Sequence, residues 1–132
     1  MSQENVEIVQ RVYAAMSRGD LDAALKAAEP DIEFVPPDQS PTSAPVTGIA
    51  DVKTWITDQQ DTVGDLSIEV DELIDAEPLV AALIRLRIRP RGADADFELR
   101  IAHLWTLRDG KLIRCEVFPE RGKALQAAGL QE

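Results

Sequence analysis

Phe97-Glu98-Leu99-Arg100-Ile101-Ala102-His103-Leu104-Trp105-Thr106-Leu107, the turn Arg108-Asp109-Gly110, and then Lys111-Leu112-Ile113-Arg114-Cys115-Glu116-Val117-Phe118 form the plainest hairpin in the chain. Before the turn, apolar or aromatic residues fall on every second position, the period of a half-buried strand. Asp-Gly between two such runs is a strong hairpin signal, because a type I′ turn needs φ > 0 at both central residues. His103, the only histidine in the protein, falls on the apolar face between Ile101 and Trp105. A titratable ring at that point asks for a reason.

The same alternation extends upstream. Leu66-Ile68-Val70 and Val80-Ala82-Ile84-Leu86-Ile88 mark two earlier strand faces, with turns at Glu77-Pro78 and Pro90-Arg91-Gly92-Ala93. Four consecutive strands on short turns predict an antiparallel meander. Before them the period is helical. Ser2 can cap a helix carrying Val6, Val9, Tyr13 and Met16; Gly19 ends it, and Asp20 can cap a second helix over Leu21, Ala24, Leu25 and Ala28, stopped by Pro30. Asp31 to Val35 then reads as a short strand. Pro36 to Thr47 holds four prolines and reads as a long loop. A third helix follows Gly48, with Ile49, Val52, Trp55 and Ile56 on one face. Ala124, Leu125 and Ala128 mark a short C-terminal helix before Gly129. The order predicts an α+β fold in one domain, residues 1–132: a curved antiparallel sheet wrapped by three N-terminal helices, leaving a conical cavity.

Composition narrows the partners. With 132 residues and 45% hydrophobic content, the chain can fill one core and line a small cavity. A net charge of −10, from 24 acidic and 14 basic residues, opposes binding to nucleic acid or to an anionic membrane. The polar, acidic N-terminus lacks the pattern of a signal peptide, and Leu79 to Ile84 is too short to span a bilayer; the expected compartment is the cytoplasm. One cysteine, Cys115, gives no intrachain disulfide, and one histidine without clustered carboxylates gives no metal site. No glycine-rich phosphate loop calls for a nucleotide, so no cofactor is expected. Arg18-Gly19-Asp20 matches an adhesion tripeptide, but its physical role is the break between two helices.

Several segments resemble a known superfamily. Ile8-Val9-Gln10-Arg11-Val12-Tyr13-Ala14-Ala15 with Gly19-Asp20-Leu21-Asp22-Ala23-Ala24-Leu25 resembles the opening helices of nuclear transport factor 2-like proteins. His103 to Arg114 resembles their last hairpin. Arg121 to Leu130 is similar to the tail of the SnoaL-like branch. The resemblance implies a cone-shaped α+β barrel, commonly dimeric through the outer sheet face, in a group that includes ketosteroid isomerase, polyketide cyclases and limonene-epoxide hydrolase. Fold alone fixes no chemistry.

Carried over residue by residue, the isomerase pattern is incomplete. Its phenol position falls at Val12, one step from Tyr13, and its base position at Pro36. Its acid position falls at His103 by strand face, or at Ala102 with a one-residue shift. The epoxide-hydrolase pattern meets Arg85-Leu86-Arg87 and Val117 in place of its carboxylates. The acidic residues nearest a cyclase base, Glu98 and Glu116, lie on the alternate strand face and are expected to point outward.

His103 is therefore the first catalytic candidate, as a general acid or base or a neutral donor, and Tyr13 is the second, as an assisting donor. Against them stand a core histidine satisfied by its neighbours and a tyrosine that only packs its ring. Phe34, Trp55 and Trp105 are expected as aromatic walls for a ligand, and Cys115 as a small inward-facing hydrophobe. Arg85, Arg87, Arg89 and Arg91 form a basic row that Glu69 and Asp71 can pair across the ladder, on an outer face open to solvent or to a second copy. The expected function is a pocket for a small apolar or cyclic molecule, with turnover left open: a cofactor-free isomerase, cyclase or hydratase working by proton transfer, or a non-catalytic ligand-binding or protein-interaction dimer.

Overall fold

The computed structural model describes residues 2–37 and 44–130. Helix α1 (Ser2–Ser17) ends where Gly19 turns at φ +75°, and the Asp20 carboxylate accepts from the Ala23 N–H to start the one-turn helix α2 (Leu21–Ala24). Strand β1 (Ala28–Val35) follows, then the two-residue β2 (Val46–Thr47) and helix α3 (Ile49–Val63). Strands β3 (Asp65–Ala76), β4 (Leu79–Arg89), β5 (Phe97–Arg108) and β6 (Lys111–Phe118) form the meander, and α4 (Arg121–Ala127) closes the chain.

The sheet order is β2-β1-β6-β5-β4-β3, so β2 and β3 are open edges and the curved sheet does not close on itself. The meander pairs antiparallel throughout, with Asp109 (φ 53°) and Gly110 (φ 76°) at the β5–β6 turn. The expectation of a wholly antiparallel sheet is corrected at one place, since β1 lies parallel to β6. The second helix also ends earlier than its apolar spacing suggests. Ala28 already pairs with Leu112, and Pro30 sits inside β1. The ladder to β6 is irregular between Ala28 and Glu33, so the missing proline N–H falls where no regular ladder bond is required. Val46 and Thr47 belong to the sheet, pairing with Phe34 and Glu33. The rest of the expected loop, residues 38–43, lies outside the described residues.

Opposed residues of neighbouring strands share a face, which sets the cavity wall in rows. His103 stands between Ala82 and Val117, and Trp105 between Val80 and Cys115, which in turn pairs with Phe34. Ile84 pairs with Val70 and Ile101 one row away, and Leu86 with Ile68 and Leu99 beyond that. Helices α1 and α3 cover this concave face; Val9, Val12, Val52, Val80 and Ile84 are almost wholly buried beneath them. The sheet outruns the helices at one end, where Leu99 and Phe97 keep 43% and 47% of their surface exposed.

The convex face is divided. At one end α4 covers Ala81 and Leu104 with Leu125. Arg121 anchors that helix, donating to the Ile84 and Ile101 carbonyls and to Asp71. Elsewhere the face is charged: Arg85 meets Asp71 at 2.7 Å and Glu69 at 3.7 Å, while Arg87 and Arg100 meet Glu98. Two arginines beside Asp71 hold its carboxyl below the usual carboxylate range, through its hydrogen bonds to Arg121 and Arg85. Among the described residues, no helix is long and apolar enough to cross a membrane.

Candidate functional site

Between the helices and the concave face lies a cavity of about 380 Å³. Its walls come from every layer: Val12 and Met16 of α1, Phe34 of β1, Val52, Trp55, Ile56 and Gln59 of α3, Ile101, His103 and Trp105 of β5, and Cys115 and Val117 of β6. Leu99 stands at its mouth, where the strand outruns the helices. None of the described lining residues is Asp, Glu, Lys or Arg. The period-2 face of β5 and the helical spacing of α3 each carry their residues to this wall. The sequence reading passed over Val12, Met16 and Gln59 as ligand-facing, although the same helical spacing marks them.

Three of the candidate residues form one hydrogen-bonded chain. The Trp105 indole Nε1–H donates to the Tyr13 Oη at 2.8 Å, and Tyr13 Oη lies 2.6 Å from His103 Nδ1. Direction follows from the donor inventory. Indole is a donor only, so Tyr13 Oη accepts from Trp105. Its own hydrogen then has one partner, the lone pair on His103 Nδ1. The reverse arrangement, with Nδ1–H donating, would strand the phenol hydrogen in a buried site and cost about 1–3 kcal/mol. His103 is thereby held as the neutral tautomer with its hydrogen on Nε2.

Charge considerations agree with this assignment. Burial pushes the His103 pKa down to about 4. Burial, and then the neighbouring Cys115, raise the Tyr13 phenol well above its ordinary value. The rings are packed as well as bonded: Tyr13 stacks on His103 at 5.9 Å, and Trp105 meets both edge-on. Tyr13 does not itself line the cavity. It sits behind His103, so the polar hydrogen that the trio can present to a ligand is the imidazole Nε2–H. Among the described residues no side chain or backbone group accepts it.

The remaining candidates fall around this chain. Phe34 of the sheet and Trp55 of α3 pack with ring centroids 4.8 Å apart and join the two sides of the cavity wall. Cys115 is buried beside them, and burial pushes its thiol pKa upward, which leaves it a protonated, apolar-like filler. Pro36, where the resemblance puts the isomerase base, is buried and off the cavity wall, while Pro37 lines it. Glu98 and Glu116 are engaged by arginines on the other face and do not line the cavity. Among the described residues no cluster of His, Cys, Asp and Glu could hold a metal.

Known structures share this architecture. TerC co-crystallised with polyporic acid superposes with a TM-score of 0.80 at 22% identity, over 96% of this chain and 98% of that one. A nuclear transport factor 2-like protein of unknown function from Burkholderia pseudomallei gives a TM-score of 0.80 at 22% identity, over 93% of this chain and 95% of that one. A SnoaL-like polyketide cyclase from a Jannaschia species gives 0.75 at 19% identity, over 89% and 85%. At these identities the likeness carries the fold and no reaction. A search of curated proteins gives no sequence match. The SnoaL-like domain model matches residues 9–115, which takes in both the Tyr13 and the His103 ends of the hydrogen-bonded chain, and the protein belongs to the SnoaL-like family.

Proposed function

We propose that the cavity binds an uncharged apolar or cyclic molecule through an acceptor oxygen on His103 Nε2–H and promotes a cofactor-free rearrangement of it. The observation that carries this reading is the Trp105–Tyr13–His103 chain, which fixes one donor at an apolar wall. A carbonyl oxygen there would meet a donor whose far side is polarised by two further hydrogen bonds. Charge developing on that oxygen is stabilised by a dipole already in place, without burying an ion at rest. Because no described wall residue is a carboxylate, the proton taken from or returned to the ligand is exchanged with the ligand itself. Cyclisation fits this best, since the substrate then brings its own nucleophile. His103 acts as the oxyanion donor, Tyr13 as the residue that orients it, and Phe34, Trp55, Trp105 and Cys115 as walls. The same missing carboxylate favours a second reading, in which the cavity binds such a molecule without converting it, with the convex sheet face free to pair two copies.

The test uses 9-fluorenone, whose carbonyl stretch falls in wavenumber on accepting a hydrogen bond. Wild-type protein should bind it with a lowered stretch, and His103→Leu should bind it with the stretch of an apolar solvent. Fluorene-9-carboxylate should be rejected, because none of the described wall residues is a cation. A lowered stretch that persists in His103→Leu, or equal binding of the carboxylate, refutes the proposal.

A further inference from the structure

Trp55 carries an indole N–H that is buried and has no hydrogen-bond partner, and among the described residues it is the only buried side-chain nitrogen or oxygen in that state. Leaving such a donor unpaired is costly, so an isolated case in a native structure calls for a cause. Packing does not supply one. Trp55 stands on α3 with Val52, Ile56 and Gln59 toward the cavity, and its ring is set against Phe34 at a 46° tilt, where phenylalanine would fill the same wall without the penalty. The contrast with Trp105 is direct, since the other tryptophan has its N–H satisfied by Tyr13.

We infer that the Trp55 N–H is a second ligand-directed donor, making this wall selective for an uncharged molecule with two acceptor oxygens, one taken by His103 on the sheet and one by Trp55 on the helix. This rests on the cavity reading above and adds a specificity residue to it. The Trp55 nitrogen has almost no accessible surface in this structure, so the ring must turn for an acceptor to reach it; once it does, the bond satisfies the orphaned donor, and the discrimination against a ligand lacking that oxygen exceeds what ring area provides.

Because the chain has two tryptophans, indole-labelled protein gives two N–H resonances in a nitrogen–proton correlation spectrum. The probes are 9,10-anthraquinone, with two carbonyls, and anthracene, the same ring frame with none. Anthraquinone should move the Trp55 indole proton downfield beyond any shift anthracene causes, while the Trp105 signal, already bonded to Tyr13, stays in place. Trp55→Phe should weaken anthraquinone binding about fivefold and leave anthracene within about twofold. If anthraquinone binds but shifts Trp55 no more than anthracene does, or if Trp55→Phe weakens both equally, Trp55 is a wall and nothing more, and the cavity reading survives. If neither probe binds, both readings fall together.

Discussion

Lowering the pH should destabilise this protein through one imidazole, and the size of the effect follows from where that imidazole sits. In the unfolded chain His103 takes up its proton near pH 6.5; in the folded chain burial holds it neutral down to about pH 4. The folded pKa is depressed, so the unfolded state binds the extra proton between these values. Stability is therefore full above pH 6.5 and drains away as the pH falls toward 4. At pH 5 the unfolded imidazole is almost fully charged and the folded one about a tenth charged, which amounts to a loss of about 2 kcal/mol relative to pH 8. Carboxylates titrate in the lower part of this range, so the quantity to measure is a difference. Urea denaturation of wild type and of His103→Asn at pH 8, 6.5 and 5 isolates it, because the asparagine Oδ1, bonded to Cγ as Nδ1 is, can still accept from Tyr13 but takes no proton. Wild type should lose about 2 kcal/mol more than the variant. The single histidine allows an independent check, as its ring proton resonance can be followed without assignment ambiguity. Parallel loss of stability in the two proteins, or a ring resonance that titrates near pH 6.5, refutes the neutral, Tyr13-bonded imidazole.

Removing the middle of the chain should cost more than a surface hydroxyl. Tyr13→Phe leaves the Trp105 N–H and His103 Nδ1 unpaired in a buried site, a loss of about 2 kcal/mol in chemical denaturation, and the Trp105 indole proton should move upfield as its acceptor disappears. Gly64→Ala tests the join between α3 and β3: at φ +103° the added Cβ would stand 2.5 Å from the Arg89 carbonyl oxygen, so the variant should lose about 2 kcal/mol or more, measured the same way.

Period and turn chemistry carried most of this architecture into view. Asp109-Gly110 sets the last hairpin, and alternation along β4 and β5 places His103 and Trp105 on one face. The errors arise where local preference is overruled by distant pairing. Ala28 has helical company in the sequence, yet Leu112 draws it into the sheet as a strand. Nothing local to β1 announces a parallel partner more than 80 residues away. The site divides along the same line. That His103 faces a cavity follows from strand period; that its Nδ1 is already occupied does not, because Tyr13 lies 90 residues upstream on a helix. The unpaired N–H of Trp55 is likewise invisible in sequence, since helical spacing gives the side of α3 it faces and not what meets its nitrogen.

One residue of helical phase decides which side chain of α1 reaches this pocket. Successive positions on a helix point about 100° apart, so exchanging the residues at 12 and 13 changes what reaches the ligand. Here Val12 takes the place on the cavity wall, and the phenol of Tyr13 is turned behind it. There it meets His103 and Trp105. The polar hydrogen passes through the imidazole and emerges one ring further into the cavity, on Nε2. A donor at the cavity wall is thus present although the phenol itself lies off it. It is a neutral donor, because the phenol that orients the ring occupies the nitrogen that would otherwise accept a proton. The wall agrees with that donor: none of its described residues is a carboxylate, and the Nδ1 of its one imidazole is already bonded, which leaves a surface suited to polarising an oxygen.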